Sequence, residues 1–191
     1  MLQQLAQQSH LTLELAPTGL FAGVNGRPMD AAFAQYAWSN DLRIGKMTGQ
    51  AFTQAYQTHV LGQPGGRLDS EAATLALTAV SLTEPQRELA TLQQLQEARY
   101  VHGLDITAML VVEKVLRNAG LAAAADQLAL DSGELRQSND ARLQNAQRLM
   151  QTLGATGVPA LVITSGENRR LLRGDALFGS FENLMHLLTK A

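Results

Sequence analysis

Apolar and polar positions change their period twice along the chain, and the two changes divide it into mixed ends and a helical middle. Leu2 and Leu5, spaced by glutamines, predict a short helix that stops near Ser9-His10. Leu11-Thr12-Leu13-Glu14-Leu15 alternates, the pattern of a half-buried strand, and Pro17 and Gly19 end it. A loop rich in turn formers runs on to Pro28. From Asp30 the period becomes helical. Asp30 caps a segment holding Phe33, Tyr36 and Ala37; Gly49 ends the next stretch; Phe52, Ala55, Tyr56 and Val60 mark another helix face. After the Gly62-to-Gly66 connection, Asp69 or Ser70 caps a small-residue helix over Ala72 to Leu82. Thr83-Glu84-Pro85-Gln86 reads as a capping box opening a long helix with Leu89, Leu92, Leu95 and Tyr100. Gly103 stops it. Asp105 caps Ile106 to Arg117, an alanine-rich helix covers Leu121 to Leu130, and Ser132 caps a last long helix that Gly154 closes. At Gly157 the period changes again. Val158 to Ile163 is a short β-branched run, predicted as a buried strand, and Arg169 to Arg173 returns as its hairpin partner. Ser180 caps a final helix over Phe181 to Leu188. The expectation is an α/β protein in which residues 1–29 and 154–191 form one unit and residues 30–153 a helical insertion.

Composition narrows the functions open to such a fold. At 191 residues, with 46% hydrophobic and 17% charged positions, the chain can bury a core without a staple. Fifteen Lys and Arg against seventeen Asp and Glu leave a formal charge of −2, no footprint for nucleic acid or an anionic membrane. No apolar run approaches the ~18–20 residues that cross a bilayer, and the first residues carry neither a basic segment nor an apolar signal core, so the expected location is the cytoplasm. The cysteine count is zero, which excludes disulfides, thiolate metal sites and a cysteine nucleophile in the chain as given.

Candidate chemistry is sparse. His10, His59, His102 and His186 are scattered, with no helical i, i+4 pair for a metal. Gly62-Gln63-Pro64-Gly65-Gly66 has no preceding strand and no following Lys-Ser/Thr, so it is not a P-loop. Ser180 beside Gly179 lacks a G-x-S-x-G elbow. Asp69-Ser70-Glu71 fits helix capping, and Arg169, Arg170 and Arg173 fit a charged edge strand that discourages pairing. No cofactor is implied. Thr156-Gly157-Val158-Pro159-Ala160 carries more: a proline cannot donate to a ladder, so it belongs at a strand start or an edge.

Several segments resemble, in order, the DsbA-like thioredoxin-fold family of thiol–disulfide oxidoreductases, in particular its cytoplasmic, FrnE-like branch. They are Thr18 to Gly23, Asp41-Leu42-Arg43-Ile44, Thr48 to Phe52, Leu68 to Ala73, Ala98 to Gly103, and Gly157-Val158-Pro159. The resemblance implies a thioredoxin-like fold with a large helical insertion. It also implies a cis Val158–Pro159 bond and a substrate-binding loop at Gly157, Val158 and Pro159 that takes a thiol-containing or extended peptide. Members begin with a central strand followed by Cys-x-x-Cys, and this sequence holds neither cysteine. Thiol–disulfide exchange needs a low-pKa thiolate and a resolving thiol, so the chain as given is expected to be redox-inactive, with no catalytic residue of its own. Two accounts of that difference stand, a shortened oxidoreductase or a protein that keeps the ligand shell alone. Two further readings stand beside the first: a redox-independent peptide-binding or chaperone-like module, and a relative of the kappa-class glutathione transferases and 2-hydroxychromene-2-carboxylate isomerases. The strand Leu11 to Leu15 and the hairpin are expected in one sheet region. The family's central strand lies between them, so an open edge there predicts a homodimer, a collapsed sheet or a marginally stable monomer.

Overall fold

The computed structural model describes residues 1–189. The chain divides into two compact units, one of residues 1–16 and 144–191, the other of residues 17–143. The divisions fall at 16/17 and 143/144, where the change of hydrophobic period puts them at 29/30 and 153/154. One reason is local. The segment 17–29 is stitched to residues of the helical unit: Asp69 Oδ1 accepts from Gly23 N–H at 3.0 Å, and Phe21 C=O accepts from Ser70 N–H at 2.8 Å.

In the larger unit β1 (Arg27–Pro28) precedes α2 (Ala31–Thr48), α3 (Gln54–Tyr56) and a π-helical turn (Gln57–Leu61). Then come β2 (Arg67–Leu68), α4 (Glu71–Thr83), α5 (Glu88–Tyr100), α6 (Met109–Asn118) and α7 (Ala122–Leu130). The next helix, α8 (Gly133–Leu153), runs across the 143/144 boundary. Asp30 caps α2 as its position predicts, accepting from Phe33 N–H at 2.8 Å, and Ser132 Oγ accepts from Leu135 N–H at 3.2 Å at the start of α8. The core is helical. Leu75, Ala76, Ala79 and Val80 of α4 bury against a cluster that includes Leu95, Val112, Leu116, Leu121, Ala125 and Leu128. The small residues of α4 let its neighbours approach closely, and burial of each large side chain contributes about 1.5–3 kcal/mol.

Two expected caps are not caps. Thr83 is the last residue of α4, not an N-cap, and its Oγ1 donates to Ala79 C=O at 2.9 Å. As the last residue of α4, Thr83 keeps helical backbone geometry, whereas an N-cap needs a non-helical one. Pro85 therefore opens a 3-10 turn (Pro85–Arg87), and α5 starts only at Glu88. Asp105 accepts from the N–H and Oγ1–H of Thr107 and so closes a local Asx turn, while α6 begins later at Met109. The short pairing of β1 with β2, Arg27 opposite Leu68 and Pro28 opposite Arg67, lies where the sequence predicts only loops. Two-residue strands carry no periodicity to detect.

A second, aromatic cluster joins Tyr56, Val60 and Leu61 to Phe33, Trp38, Phe52 and Tyr100. Tyr56 and Tyr100 meet edge to face with ring centroids 5.1 Å apart. Arg99, only 5% exposed, lays its guanidinium 5.6 Å from the Tyr56 ring centre. Tyr56 Oη donates to Asp41 Oδ2 at 2.9 Å. Burial pushes the Asp41 carboxyl above its ordinary value of 3.8, outweighing the Tyr56 hydrogen bond and the Arg99 charge, which both lower it. The folded protein thus holds this proton more tightly than the unfolded chain does. Ionising Asp41 costs stability; that cost is absent below the ordinary carboxylate range and complete once pH has risen through the raised folded value. The stability of Asp41→Asn relative to wild type is therefore expected to increase as pH rises through that window. Urea unfolding at a series of pH values reads the difference, and one that stays constant with pH would exclude a raised Asp41.

The smaller unit contains α1 (Leu2–Ala6), the end of α8, β3 (Ala160–Ser165), β4 (Asn168–Arg173), a 3-10 turn (Gly174–Phe178) and α9 (Phe181–Thr189). Its buried hydrophobic side chains among the described residues are Leu5, Ala146 and Leu184. Leu11 to Leu15 forms no strand. The described sheets are two-stranded, β1 with β2 and β3 with β4, and neither takes it. Alternation makes a segment able to be a strand; a ladder makes it one, and here no described strand supplies the ladder. The sheet collapse offered as one outcome, with this segment pairing directly on the hairpin, does not occur.

Candidate functional site: the loop entering the hairpin

The chain enters the site from the C-terminal end of α8. Gly154, at φ +66°, ends that helix, and Ala155 N–H returns to Met150 C=O at 2.9 Å, the bond that closes a Schellman cap. Thr156, Gly157, Val158 and Pro159 then form an exposed loop, with Val158 53% accessible. The Val158–Pro159 peptide bond is cis, as the resemblance implies. Pro159 stands immediately before β3, the position where a residue without an N–H removes nothing from the ladder.

The hairpin that follows fixes where this loop points. Its strands pair antiparallel from Ala160 opposite Arg173 to Ser165 opposite Asn168. The connection is two residues long, with Gly166 at φ +59° in the first position, as a type II′ turn requires. A two-residue turn makes Ser165 and Asn168 a hydrogen-bonded pair, so Ile163 with Arg170 and Leu161 with Leu172 are bonded pairs as well. The main-chain groups of Ala160, Val162 and Thr164 consequently face the other edge of β3, where no third strand pairs among the described residues. Val162 and Ile163 are half-buried, where the sequence predicts a buried strand. A two-stranded sheet without a third strand does not cover them.

The arginines of β4 do more than repel an edge partner. Arg170 donates to the carbonyls of Leu187 and, at 3.3 Å, Leu188, near the C-terminal end of α9. A cation there satisfies orphan carbonyls and complements the helix dipole. The side chain of Arg173 lies outside the described residues. Ser180 caps α9, its Oγ accepting from Asn183 N–H at 3.1 Å, so capping accounts for it.

The remaining sequence candidates have local roles of their own. Asp69 and Glu71 belong to the helical unit, where Asp69 Oδ1 accepts from Gly23 and Glu71 N–H and Glu71 pairs with Arg136 at 3.0 Å. Among the described residues no group of three or more His, Asp and Glu is placed to hold a metal ion. One residue that sequence reasoning missed stands beside the loop. Gly174, one step beyond the last hairpin pair, lies so close to Pro159 that a Cβ on it would meet the Pro159 carbonyl oxygen at 2.2 Å. A glycine after a strand reads as an ordinary turn former, so nothing in the local sequence signals this contact.

No helix among the described residues is long and apolar enough to cross a membrane. No protein-family model matches the chain, and no curated protein matches it. Solved structures do. The chain is similar to the cytosolic disulfide reductase DsbM from Pseudomonas aeruginosa, at 26% identity over 98% of this chain and 87% of that one, with a TM-score of 0.85. The same protein with GSH matches over the same spans at a TM-score of 0.82. A putative protein disulfide isomerase from Nitrosomonas europaea matches at 25% identity over 85% of this chain and 74% of that chain, with a TM-score of 0.67. The likeness extends over nearly the whole chain, and the chain contains no cysteine. By these neighbours the chain has the fold of the DsbA-like thioredoxin-fold family, and it carries no cysteine thiol for disulfide exchange.

Proposed function

We propose that Gly157, Val158 and Pro159 form a binding loop for a thiol-containing or extended peptide, and that this chain binds such a ligand without oxidising or reducing it. The observation that carries the reading is the exposed loop itself, which leads directly into β3. Val158 supplies backbone groups to the ligand backbone, and Pro159 holds their position. The neighbour solved with GSH supports a small thiol peptide as the first ligand to test. Binding takes place in the cytoplasm, the location that the sequence favours.

The free edge of β3 serves the same ligand. An extended peptide added there satisfies the main-chain groups of Ala160, Val162 and Thr164. A second copy of the chain competes for the same edge and makes a homodimer. Titration of ¹⁵N-labelled protein with reduced glutathione is expected to shift the amides of Gly157, Val158 and Ala160 before others. Spectra unchanged at millimolar glutathione would remove this function. Sedimentation at increasing protein concentration separates edge pairing between copies from a monomer that keeps the edge for ligand.

A further inference from the structure

We propose that Gly174 is a positioning residue for the ligand loop: the absence of a side chain there sets where the Pro159 carbonyl stands, and with it the main chain that Val158 offers. The inference rests on the reading of Gly157 to Pro159 as the ligand loop.

Gly174 directly follows β4, and in the continued register it faces Pro159. Its φ lies outside the left-handed region, so its backbone conformation is open to any L-residue. Space is what demands glycine. A Cβ would lie 2.2 Å from the Pro159 oxygen, 3.2 Å from its carbonyl carbon and 3.4 Å from its Cγ. The first two of these atoms are backbone, and backbone cannot swing aside as the end of a flexible side chain can. Restoring a contact of at least 3.0 Å requires a displacement of 0.8 Å or more. Two routes are open, and one is costly. Residue 174 follows directly on a six-pair ladder and opens the 3-10 turn, so it is held on both sides. Pro159 precedes its strand in a loop exposed from Thr156 onward. The loop therefore yields, and Val158 moves with it. Neighbouring glycines lack this coupling: a Cβ at Gly157 meets nothing within 4 Å, and one at Gly179 meets only Ala176 C=O at 3.9 Å.

The test compares Gly174→Ala with Gly179→Ala, a substitution of the same size in the same unit. Without any ligand, Gly174→Ala is expected to move the Pro159 carbonyl carbon and Ala160 amide signals, which belong to one peptide group, and to leave Gly166 in place. Gly179→Ala moves none of them. The affinity for reduced glutathione is expected to fall at least tenfold in Gly174→Ala, since displacements approaching 1 Å misalign directional contacts. A purely structural role would lower the melting temperature while leaving these signals and the affinity of the folded protein unchanged, and that result overturns the proposal. If wild-type protein fails to bind glutathione, the ligand reading falls, and the signals of the unliganded variants still decide the role of Gly174. If Gly174→Ala does not fold while Gly179→Ala does, wild-type protein is titrated instead. Glutathione must then shift the Gly174 amide together with that of Ala160, and a silent Gly174 overturns the proposal.

Discussion

Arg142→Met is expected to destabilise the protein by roughly 2–4 kcal/mol, because it leaves a nearly buried carboxylate without its counter-charge. Arg142 donates to Glu88 Oε1 and, at 3.1 Å, to Thr78 Oγ1, which itself lies 3.0 Å from Asn139 Oδ1. Thr78, Glu88 and Asn139 are all buried. This network ties α8 to α4 and α5 with polar atoms where the surrounding core is apolar. Removing one member forfeits the ion pair and strands the others away from water, so the loss exceeds that of an exposed pair. In a chain of this length the melting midpoint should fall by about 5–15 °C. The double variant Arg142→Met, Glu88→Leu is expected to recover most of the loss, since the buried charge is then gone as well. Thermal unfolding of the four species forms a double-mutant cycle, and additive effects would show that the two side chains do not interact.

Leu184→Ala should have an effect of similar size, about 2–5 kcal/mol, but confined in space. Leu184 is completely inaccessible and belongs to the smaller unit, whose other buried hydrophobic side chains among the described residues are Leu5 and Ala146. Its loss leaves a cavity in a core with little else to share the load. The hairpin depends on such packing, because a two-stranded sheet alone is marginal in water. Hydrogen exchange is expected to show the amides of Leu161, Ile163 and Leu172 losing protection, while those around Leu75 and Leu116 keep theirs. Equal loss in both regions would mean that the two units unfold as one.

Periodicity and turn chemistry alone were enough to read the hairpin, the cap at Asp30, the helix start at Ser132, the αL residue at Gly154 and the terminal helix capped by Ser180. Each is decided within a few residues, by a side chain that bonds its own neighbourhood or by a glycine that tolerates positive φ. Local chemistry put Pro159 at a strand start, whereas the reading of its loop as a ligand site came only from the resemblance. Where a residue has two local choices, the sequence could not say which wins. Thr83 can cap the next helix or back-bond to its own, and Asp105 can cap a helix or close a turn. In both cases the observed choice depends on where the neighbouring helix ends, and packing against the core sets that. The alternation of Leu11 to Leu15 describes two faces but not a partner, and strands exist only as pairs. Residues far apart in the chain escaped altogether: Asp69 holding the loop at Gly23, Arg142 reaching Glu88, Arg170 reaching the end of α9, and Gly174 lying against Pro159. Composition settled that no thiol chemistry belongs to this chain, since an absent atom is absent in any fold. Only the tertiary structure decided which main-chain groups are left open, because that depends on which strands meet.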